Sequence, residues 1–545
     1  MEWWKKAVIY QIYPRSFQDS NHDGIGDLEG IISRLDYLKG KPDSLGIDAI
    51  WLSPIYPSPN FDFGYDISNY ESIDPIYGDL NSFKILLREA HKRKIKIIMD
   101  LVTNHTSHLH PWFLESRSSK TNPKRDWYIW KDPVEGKPPN NWLGTFGGSA
   151  WTFDEKTMQY YYHSFLAEQP DLNWRNPQVK KAVFQMIKKW LDLGVDGFRL
   201  DVVNLYIKDE EYRNNDSFFW KGIRPFDRQV HIYDRDRPEM HGILRDLRKL
   251  LDSYGDRMSV GEVMQDYPGN VELPSTYYGN NDELHLAFNF KFLYSSWNAK
   301  NFYRIVNDFE KALGPKNWPN YTLSNHDFPR HISRYAKKGE TLNRAKIAAM
   351  MLLCLRGTPF LYYGEEIGME REKVPKKRIL DPVGIRYWPL HPGRDPERKP
   401  FPWDDTEFGG FSTVEPWLPI YSQWKTNNLQ TEKKKPNSIW NLYKSLIKIR
   451  NFYKCLQEGE QKLHLFEPEN VLLIQRKLGK ESIVTVLNFS NKEIEIKIPA
   501  EIKFQLEIIS SLKNEYQFDG KKTKSRTLLS ENVKLLPLEG KIFLA

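Results

Sequence analysis

The chain has 545 residues, 40% hydrophobic, 28% charged and 14% aromatic, with enough apolar surface to offset the entropy of ordering, which excludes a disordered protein. Lys and Arg number 79 against 71 Asp and Glu, a formal charge of +8. The basic residues are interleaved with acids, and the densest run, Lys433 to Lys435, ends at Pro436, so the charge reads as a solvated surface and not as a nucleic-acid footprint. From the N-terminus, Met1 to Lys6 passes directly into strand-like Ala7 to Tyr13 without the apolar core of a secretory signal. No run approaches the length of a membrane span. Cys354 and Cys455 cannot staple a chain of this size and form no C-x-x-C pair. Together these features predict a cytoplasmic protein.

Short apolar runs then recur in chain order: Val8 to Tyr13, Ala49 to Leu52, Ile95 to Leu101, Gly197 to Val203, Met258 to Val263, Leu284 to Phe290, Tyr321 to Ser324 and Pro359 to Tyr363. Between them, segments such as Ser82 to Lys94 and Gln178 to Leu193 carry apolar residues at three- and four-residue spacing, as amphipathic helices do. Eight strands alternating with helices predict an α/β protein built on a (β/α)8 TIM barrel, although periodicity alone also admits a doubly wound sheet. The connection Thr103 to Asn176, rich in Trp, Tyr, Pro, Gly and Asn, is far too long for an ordinary loop and predicts an inserted subdomain. After a helix over Ser438 to Tyr453 the pattern turns to period two, in Val471 to Lys477, Ile483 to Leu487, Glu493 to Ile498, Phe504 to Ile509 and Lys541 to Leu544. Such alternation predicts a C-terminal antiparallel β-sandwich. The expected division is residues 1–103 and 177–456 for the barrel, 104–176 for the insertion and 457–545 for the β-domain.

Four predicted strands end in acids: Ile97-Ile98-Met99-Asp100, Gly197-Phe198-Arg199-Leu200-Asp201, Val260-Gly261-Glu262 and Leu323-Ser324-Asn325-His326-Asp327. In a barrel such ends converge on one mouth. Any one of these acids could be a helix cap or a salt-bridge partner, but four at the same end suit cleavage of a glycosidic bond between two carboxyl groups. Together with Gln169-Pro170-Asp171-Leu172-Asn173, these segments resemble the signature regions of the α-amylase superfamily, glycoside hydrolase family 13, in its α-glucosidase and oligo-1,6-glucosidase branch.

The resemblance implies Asp201 as nucleophile, held ionised by Arg199, Glu262 as general acid/base and Asp327 as a third acid that binds sugar hydroxyls. It further implies His105 and His326 as ligands of the glucose before the scissile bond, Tyr65 as a stacking ring, Phe165 and Gln169 as further substrate contacts, and a pair between Asp66 and Arg398, preferred over Arg394, that blocks the pocket. A surface salt bridge is the alternative for that pair. Asp19-x-Asn21-x-Asp23-Gly24-Ile25-Gly26-Asp27 offers alternating oxygens as a calcium loop does, without the twelfth-position Glu of an EF-hand. Within the family it resembles a structural metal loop, with Ile25 contributing its carbonyl. Calcium, or magnesium in its place, is the expected ion, and a metal-free Asx-turn is the alternative. Val202, directly after the predicted nucleophile, goes in this family with α-1,6 cleavage, unless it is ordinary barrel packing. The expected function is an exo-acting retaining α-glucosidase on short oligosaccharides or disaccharides. A transglycosylase or isomerase, such as a trehalose synthase or sucrose isomerase, or a trehalose-6-phosphate hydrolase, remains the alternative on the same scaffold.

Overall fold

Strands buried on both faces must divide their side chains between two cores, and the eight predicted segments do so. The computed structural model describes residues 2–518, 520 and 532–545. It forms parallel strands β1 (Ile9–Ile12), β2 (Ala49–Leu52), β3 (Lys96–Leu101), β4 (Gly197–Leu200), β5 (Met258–Gly261), β6 (Leu286–Ala287), β7 (Asn320–Thr322) and β8 (Thr358–Tyr362). Their spatial order is β7-β8-β1-β2-β3-β4-β5-β6, which is chain order with its two ends joined at β8 and β1. That circular order excludes the doubly wound alternative. Among the described residues no ladder joins β6 to β7, so the barrel is nearly closed, with β6 only two residues long.

Alternation along each strand builds the interior. Ile9, Ala49, Trp51, Ile98, Met258, Val260, Leu286 and Phe360 form one apolar cluster. Their register neighbours Tyr10, Ile50, Ile97, Met99, Phe198 and Leu361 belong to a second, larger cluster shared with the helices. This is the packed core of a barrel, not a pore. The helices that cover it begin and end as their sequences dictate. Asp79 and Ser82 make a capping box for Leu80–Lys92; Asn176 caps Pro177–Leu193, which buries Val179, Val183, Met186, Ile187, Trp190 and Leu191 and stops at Gly194 with φ at +104°.

Between β3 and the helix Pro177–Leu193 the chain makes a helix, Pro111–Ser118, and a three-stranded antiparallel sheet in which Gln159–Tyr162 lies between Trp130–Lys131 and Trp151–Asp154. Lys208, buried, ties this segment to the barrel by donating to Asp171 at 2.5 Å and to Asn104 at 3.0 Å. Towards the C-terminus, five antiparallel strands (Glu460–Phe466, Val471–Leu478, Glu481–Asn488, Gly540–Leu544 and Leu506–Ser510) face a two-stranded sheet of Ile494–Lys497 and Asn532–Leu535. Val471, Leu473, Val484 and Val486 pack with Ile496, Val533 and Leu535 of the smaller sheet, whereas Leu472, Ile474, Ile483 and Leu487 turn to the barrel-side core. Buried Arg476 stitches the β-domain to the barrel by donating to the carbonyls of Cys354, Leu456 and Gly459, and buried Arg450 binds the carbonyls of Leu353 and Gly357 within the barrel. Cys354 and Cys455 are both buried and unpaired. Among the described residues no helix is long and apolar enough to cross a membrane.

Candidate active site

The alternation that puts Ala49, Trp51 and Ile98 inside the barrel places the next inward positions at its C-terminal mouth. Gln11 and Arg199 belong to β1 and β4, Asp100 to β3, and Asp201, Glu262 and Asp327 follow β4, β5 and β7. The ladder runs on into the acids, because the Asp201 N–H donates to Leu101 O at 3.1 Å and the Glu262 N–H to Leu200 O at 2.9 Å. Both carboxylates therefore stand on rigid sheet. A Cβ on Gly261, just before Glu262, would lie 2.4 Å from Leu284 Cδ1, so glycine there lets the Leu284 side chain pack close against the strand.

One guanidinium organises the mouth. Arg199, 2% exposed, donates through Nη1 to Asp100 and Asp201, each at 2.7 Å, and through Nη2 to Glu262. Asp201 and Glu262 thus sit on neighbouring nitrogens of a single fork. Tyr65 Oη donates to Asp100 at 3.1 Å and hydrogen-bonds His326 Nε2 at 2.7 Å, its ring parallel to the imidazole with centroids 5.3 Å apart. Gln11 donates to His326 Nδ1 at 2.9 Å. His105 reaches the Tyr65 carbonyl at 2.9 Å and meets the Phe165 ring edge-on at 5.2 Å. Gln169 donates to Asp62 at 3.1 Å.

The charges compete. Burial pushes the Asp201 carboxyl up to about 7, against the pull of Arg199, and the Glu262 carboxyl up to about 8. This corrects the expectation that Arg199 holds Asp201 fully ionised: one cation shared by three carboxylates cannot offset the desolvation of all of them. Asp327 goes the other way. Burial raises it, but His326, Arg394 and Arg398 together hold it well below the usual carboxylate range. Burial lowers His326 to about 3 and lowers His105 as well, so both rings are neutral.

The expected Asp66–Arg398 pair is not formed. Asp66 accepts from Ser58 Oγ at 2.8 Å and from the N–H groups of Phe61 and Asp62 at 2.9 and 3.1 Å, which folds its own loop. The ion pair belongs to Asp62 and Arg394, at 2.6 Å, with Arg394 also held by Asp381 at 2.7 Å and reaching Asp327 at 3.3 Å. Arg398 donates to Asp327 at 3.0 Å and to the His326 carbonyl at 3.1 Å. An Asx-type carboxylate is consumed by local N–H groups, leaving the residue four positions earlier to face the arginine.

A cavity of about 810 Å³ opens over these groups, lined by Asp62, Tyr65, His105, Phe165, Asp201, Val202, Glu262, His326, Asp327 and Arg394, with Tyr267, Phe290, Tyr294 and Phe328 on its walls. Asp66, Gln169, Arg199 and Arg398 stand behind this lining. Val202 is buried against Phe146, Phe165, Leu205 and Val383 with φ at +34°, a strained setting for a β-branched residue. Asp62 and Gln11 were not singled out by the sequence as site residues, and Arg394 was the less preferred partner for the ion pair. The signal for Asp62 was its place three residues before Tyr65, and for Gln11 its inward register in β1.

The Asp19–Asp27 loop lies apart from the mouth. Asp19 accepts from the N–H groups of Asn21, His22 and Gly24 at 3.1, 2.8 and 3.0 Å and from Ser412 Oγ at 2.5 Å. Asp27 caps the helix Leu28–Leu38 through the Gly30 N–H at 2.7 Å. Among the described residues no group of three or more His, Cys, Asp or Glu is gathered as metal ligands. The donors of the loop are all oxygens, the type calcium takes; each Asp19 oxygen already accepts two of these bonds, whereas the Asn21 amide oxygen and each Asp23 oxygen accept one and keep a second lone pair.

Comparison with known proteins agrees with this geometry. The family model described as alpha amylase, catalytic domain, matches residues 11–459. The chain is 42% identical over 511 residues to a probable alpha-glucosidase of Rhizobium meliloti (strain 1021), covering 91% of each chain. It is 40% identical over 535 residues to an oligo-1,6-glucosidase of Parageobacillus thermoglucosidasius, covering 92% of this chain and 93% of the relative. Among solved structures, the alpha-glucosyl transfer enzyme XgtA superposes with a TM-score of 0.91 at 36% identity, covering 100% of this chain and 99% of that one. The chain belongs to the α-amylase superfamily, glycoside hydrolase family 13, in its α-glucosidase and oligo-1,6-glucosidase branch.

Proposed function

We propose that this chain is a retaining, exo-acting α-glucosidase-type enzyme that takes a terminal α-linked glucosyl unit from a disaccharide or short oligosaccharide and passes it to water or to a second sugar. The observation that carries the reading is the single Arg199 fork holding Asp201 and Glu262 side by side in a cavity with Asp62 and Arg394 paired on its lining. Adjacent carboxyl groups suit direct attack, which asks for a separation of about 5 to 5.5 Å. Glu262, protonated at neutral pH, donates its proton to the glycosidic oxygen while ionised Asp201 attacks the anomeric carbon, and the aglycone leaves as an alcohol. Glu262, now a carboxylate, takes a proton from water or a sugar hydroxyl, whose oxygen displaces Asp201. Two inversions restore the α-anomer. Asp327, Arg394 and Asp62 grip the hydroxyls of the transferred glucose, with His105 and His326 beside them.

The activity needs Asp201 deprotonated and Glu262 protonated. Rising pH through about 7 therefore switches activity on and a further rise through about 8 switches it off. A bell-shaped profile of kcat/KM with limbs near those values is expected, its two apparent pKa values belonging to the coupled pair. A plateau extending from pH 5 to pH 10 would contradict the assignment.

Transfer to a sugar stands beside hydrolysis. The rings of Tyr267, Phe290, Tyr294 and Phe328 give an acceptor apolar faces to lie on, and the similarity to an alpha-glucosyl transfer enzyme supports the same outcome. Product analysis on isomaltose, maltose, sucrose, trehalose and trehalose 6-phosphate tests the reading, with free glucose and new disaccharides expected from at least one of them. Val202 lines the cavity beside Asp201, so its two γ-methyls are placed to disfavour a leaving ring joined through a secondary hydroxyl. One or two methyl groups discriminate by about 1 to 3 kcal/mol. Val202→Ala should raise the ratio of maltose to isomaltose kcat/KM by about tenfold, and an unchanged ratio would remove Val202 from specificity.

We further infer that the oxygens of Asp19, Asn21, Asp23, Asp27 and the Ile25 carbonyl hold calcium, or magnesium, as a structural ion. Chelation should lower the melting temperature, as loss of a ligand bound only by the folded state does, and leave kcat unchanged in the protein still folded. If Asp19→Ala melted at the same temperature as the parent in added calcium, the assignment would be wrong. The two buried thiols suit a reducing compartment, and a cytoplasmic enzyme is part of the same reading.

A further inference from the structure

A second cavity, of about 790 Å³, lies on the other flank of the loop that carries Asp62 and Tyr65. Its wall is made by the two ends of that loop, Pro57 to Pro59 and Ser68 to Pro75, by Leu109 to Trp112 and by Ala182 and Met186 of the helix Pro177–Leu193. None of these residues lines the cavity above Asp201. The volume is that of a small-molecule site.

His110 is the informative residue. Its side chain caps the helix Pro111–Ser118 by accepting the Trp112 N–H on Nδ1 at 3.1 Å, and burial keeps the ring neutral. With Nδ1 committed as acceptor, the ring proton is on Nε2. That N–H has no protein partner among the described residues and opens to the cavity, although His110 as a whole is only 5% exposed. A donor open to a cavity is free to give its proton to an occupant's oxygen in place of water. Acceptors for the occupant's own hydroxyls stand opposite. Each Asp74 oxygen accepts one backbone N–H, from Ile76 and from Ser58, at 3.0 and 3.1 Å, and keeps a free lone pair. Half-buried Trp112, edge-on to His110 at 4.6 Å, supplies an apolar plate. The lining holds the carboxylates of Glu71, paired with Lys189 at 2.5 Å, and of Asp74, and no Lys or Arg of its own, so Asp74 is the charge that turns anions away.

A donor, several acceptors, an aromatic plate and no basic residue describe a site for a neutral polyhydroxylated molecule. We propose that this cavity is a second saccharide site that binds a neutral glucose unit away from the catalytic mouth; the naming of glucose rests on the proposed function, the site itself on His110, Trp112 and Asp74. Occupancy would press on the loop through Ser58, whose N–H and hydroxyl are held by Asp74 and Asp66.

The test is isothermal titration of the full-length Asp201→Asn protein with glucose, repeated after adding Trp112→Ala, which removes the plate, and Ala182→Trp, which fills the cavity. Two saturable events are expected in the parent and one in each double variant, with unchanged melting for Ala182→Trp. Two events persisting in Ala182→Trp, or a single event in the parent that survives it, would overturn the proposal. A single event that Ala182→Trp abolishes would support it and count instead against the catalytic reading. Glucose 6-phosphate should bind at least tenfold more weakly than glucose at the event lost in Ala182→Trp, and equal binding there would overturn the neutral class.

Discussion

Asp201→Ala and Glu262→Gln should each lose about 10⁴-fold or more in kcat while the chain stays folded. Removing a nucleophile or its proton donor forfeits the step that forms the glycosyl-enzyme, and residual activity comes from binding alone. The stability side of this result has a definite sign. Asp201 in the folded protein titrates at about 7, far above an ordinary carboxylate, so the folded state holds that proton more tightly than the unfolded chain does. The fold therefore loses stability as pH rises from about 4 through 7, and Asp201→Asn, which has no charge to bury, escapes that loss. Asp201→Asn should melt above the parent at pH 8, with the gap closing towards pH 4, while Glu262→Gln follows the same course to a higher pH because Glu262 titrates at about 8. Stabilised but inactive variants are what a functional carboxylate leaves behind. Unfolded variants, or a melting gap that grows towards acid, would make these acids structural.

Arg394→Ala should have the second-largest effect. It strips the partner from Asp62 at 2.6 Å and from Asp381 at 2.7 Å and weakens the hold on Asp327. Breaking a buried pair on one side costs about 3 to 5 kcal/mol, because the remaining charge is left uncompensated. Because Asp62 and Asp327 line the cavity above Asp201 and in the proposed reaction do not carry out the bond exchange, KM should rise more than kcat falls, with kcat/KM down about 10² to 10³-fold. Arg398→Ala should act differently: it loosens Asp327 and the His326 carbonyl but leaves the Asp62 pair intact. If Arg398→Ala raised KM more than Arg394→Ala, the pairing seen here would not govern the substrate.

The barrel was legible because it is written twice. Short apolar runs alternating with amphipathic helices mark the barrel, and acids at the ends of those runs mark the mouth, so Asp100, Asp201, Glu262 and Asp327 could be placed from their positions alone. What escaped the sequence depends on where loops and long side chains end up. Asp62 and Asp66 are four residues apart in one loop, and only the path of that loop decides which turns to the arginine and which binds the loop's own N–H groups. Arg394 and Arg398 flank one 3-10 turn, Asp395–Glu397, and likewise diverge. The electrostatics of Asp201 escaped for a related reason: the spacing of Arg199 and Asp201 shows a pair, but not that Asp100 and Glu262 share the same guanidinium. In the β-domain, Glu460–Phe466 was missed because Gln461 is polar at an inward position and Leu463 alone is buried, which leaves too little apolar alternation to read, and Asn532–Leu535 is too short to show a period.

The central claim is that Asp201 and Glu262 exchange a glycosyl unit by double displacement on a shared guanidinium. It is tested most directly by following the anomer of the first glucose released from an α-glucoside by proton NMR, before mutarotation. Double displacement gives α-glucose first, with the β-anomer appearing only at the rate of spontaneous equilibration. β-Glucose as the first product would mean that water attacks the anomeric carbon directly, and would contradict the nucleophilic role of Asp201.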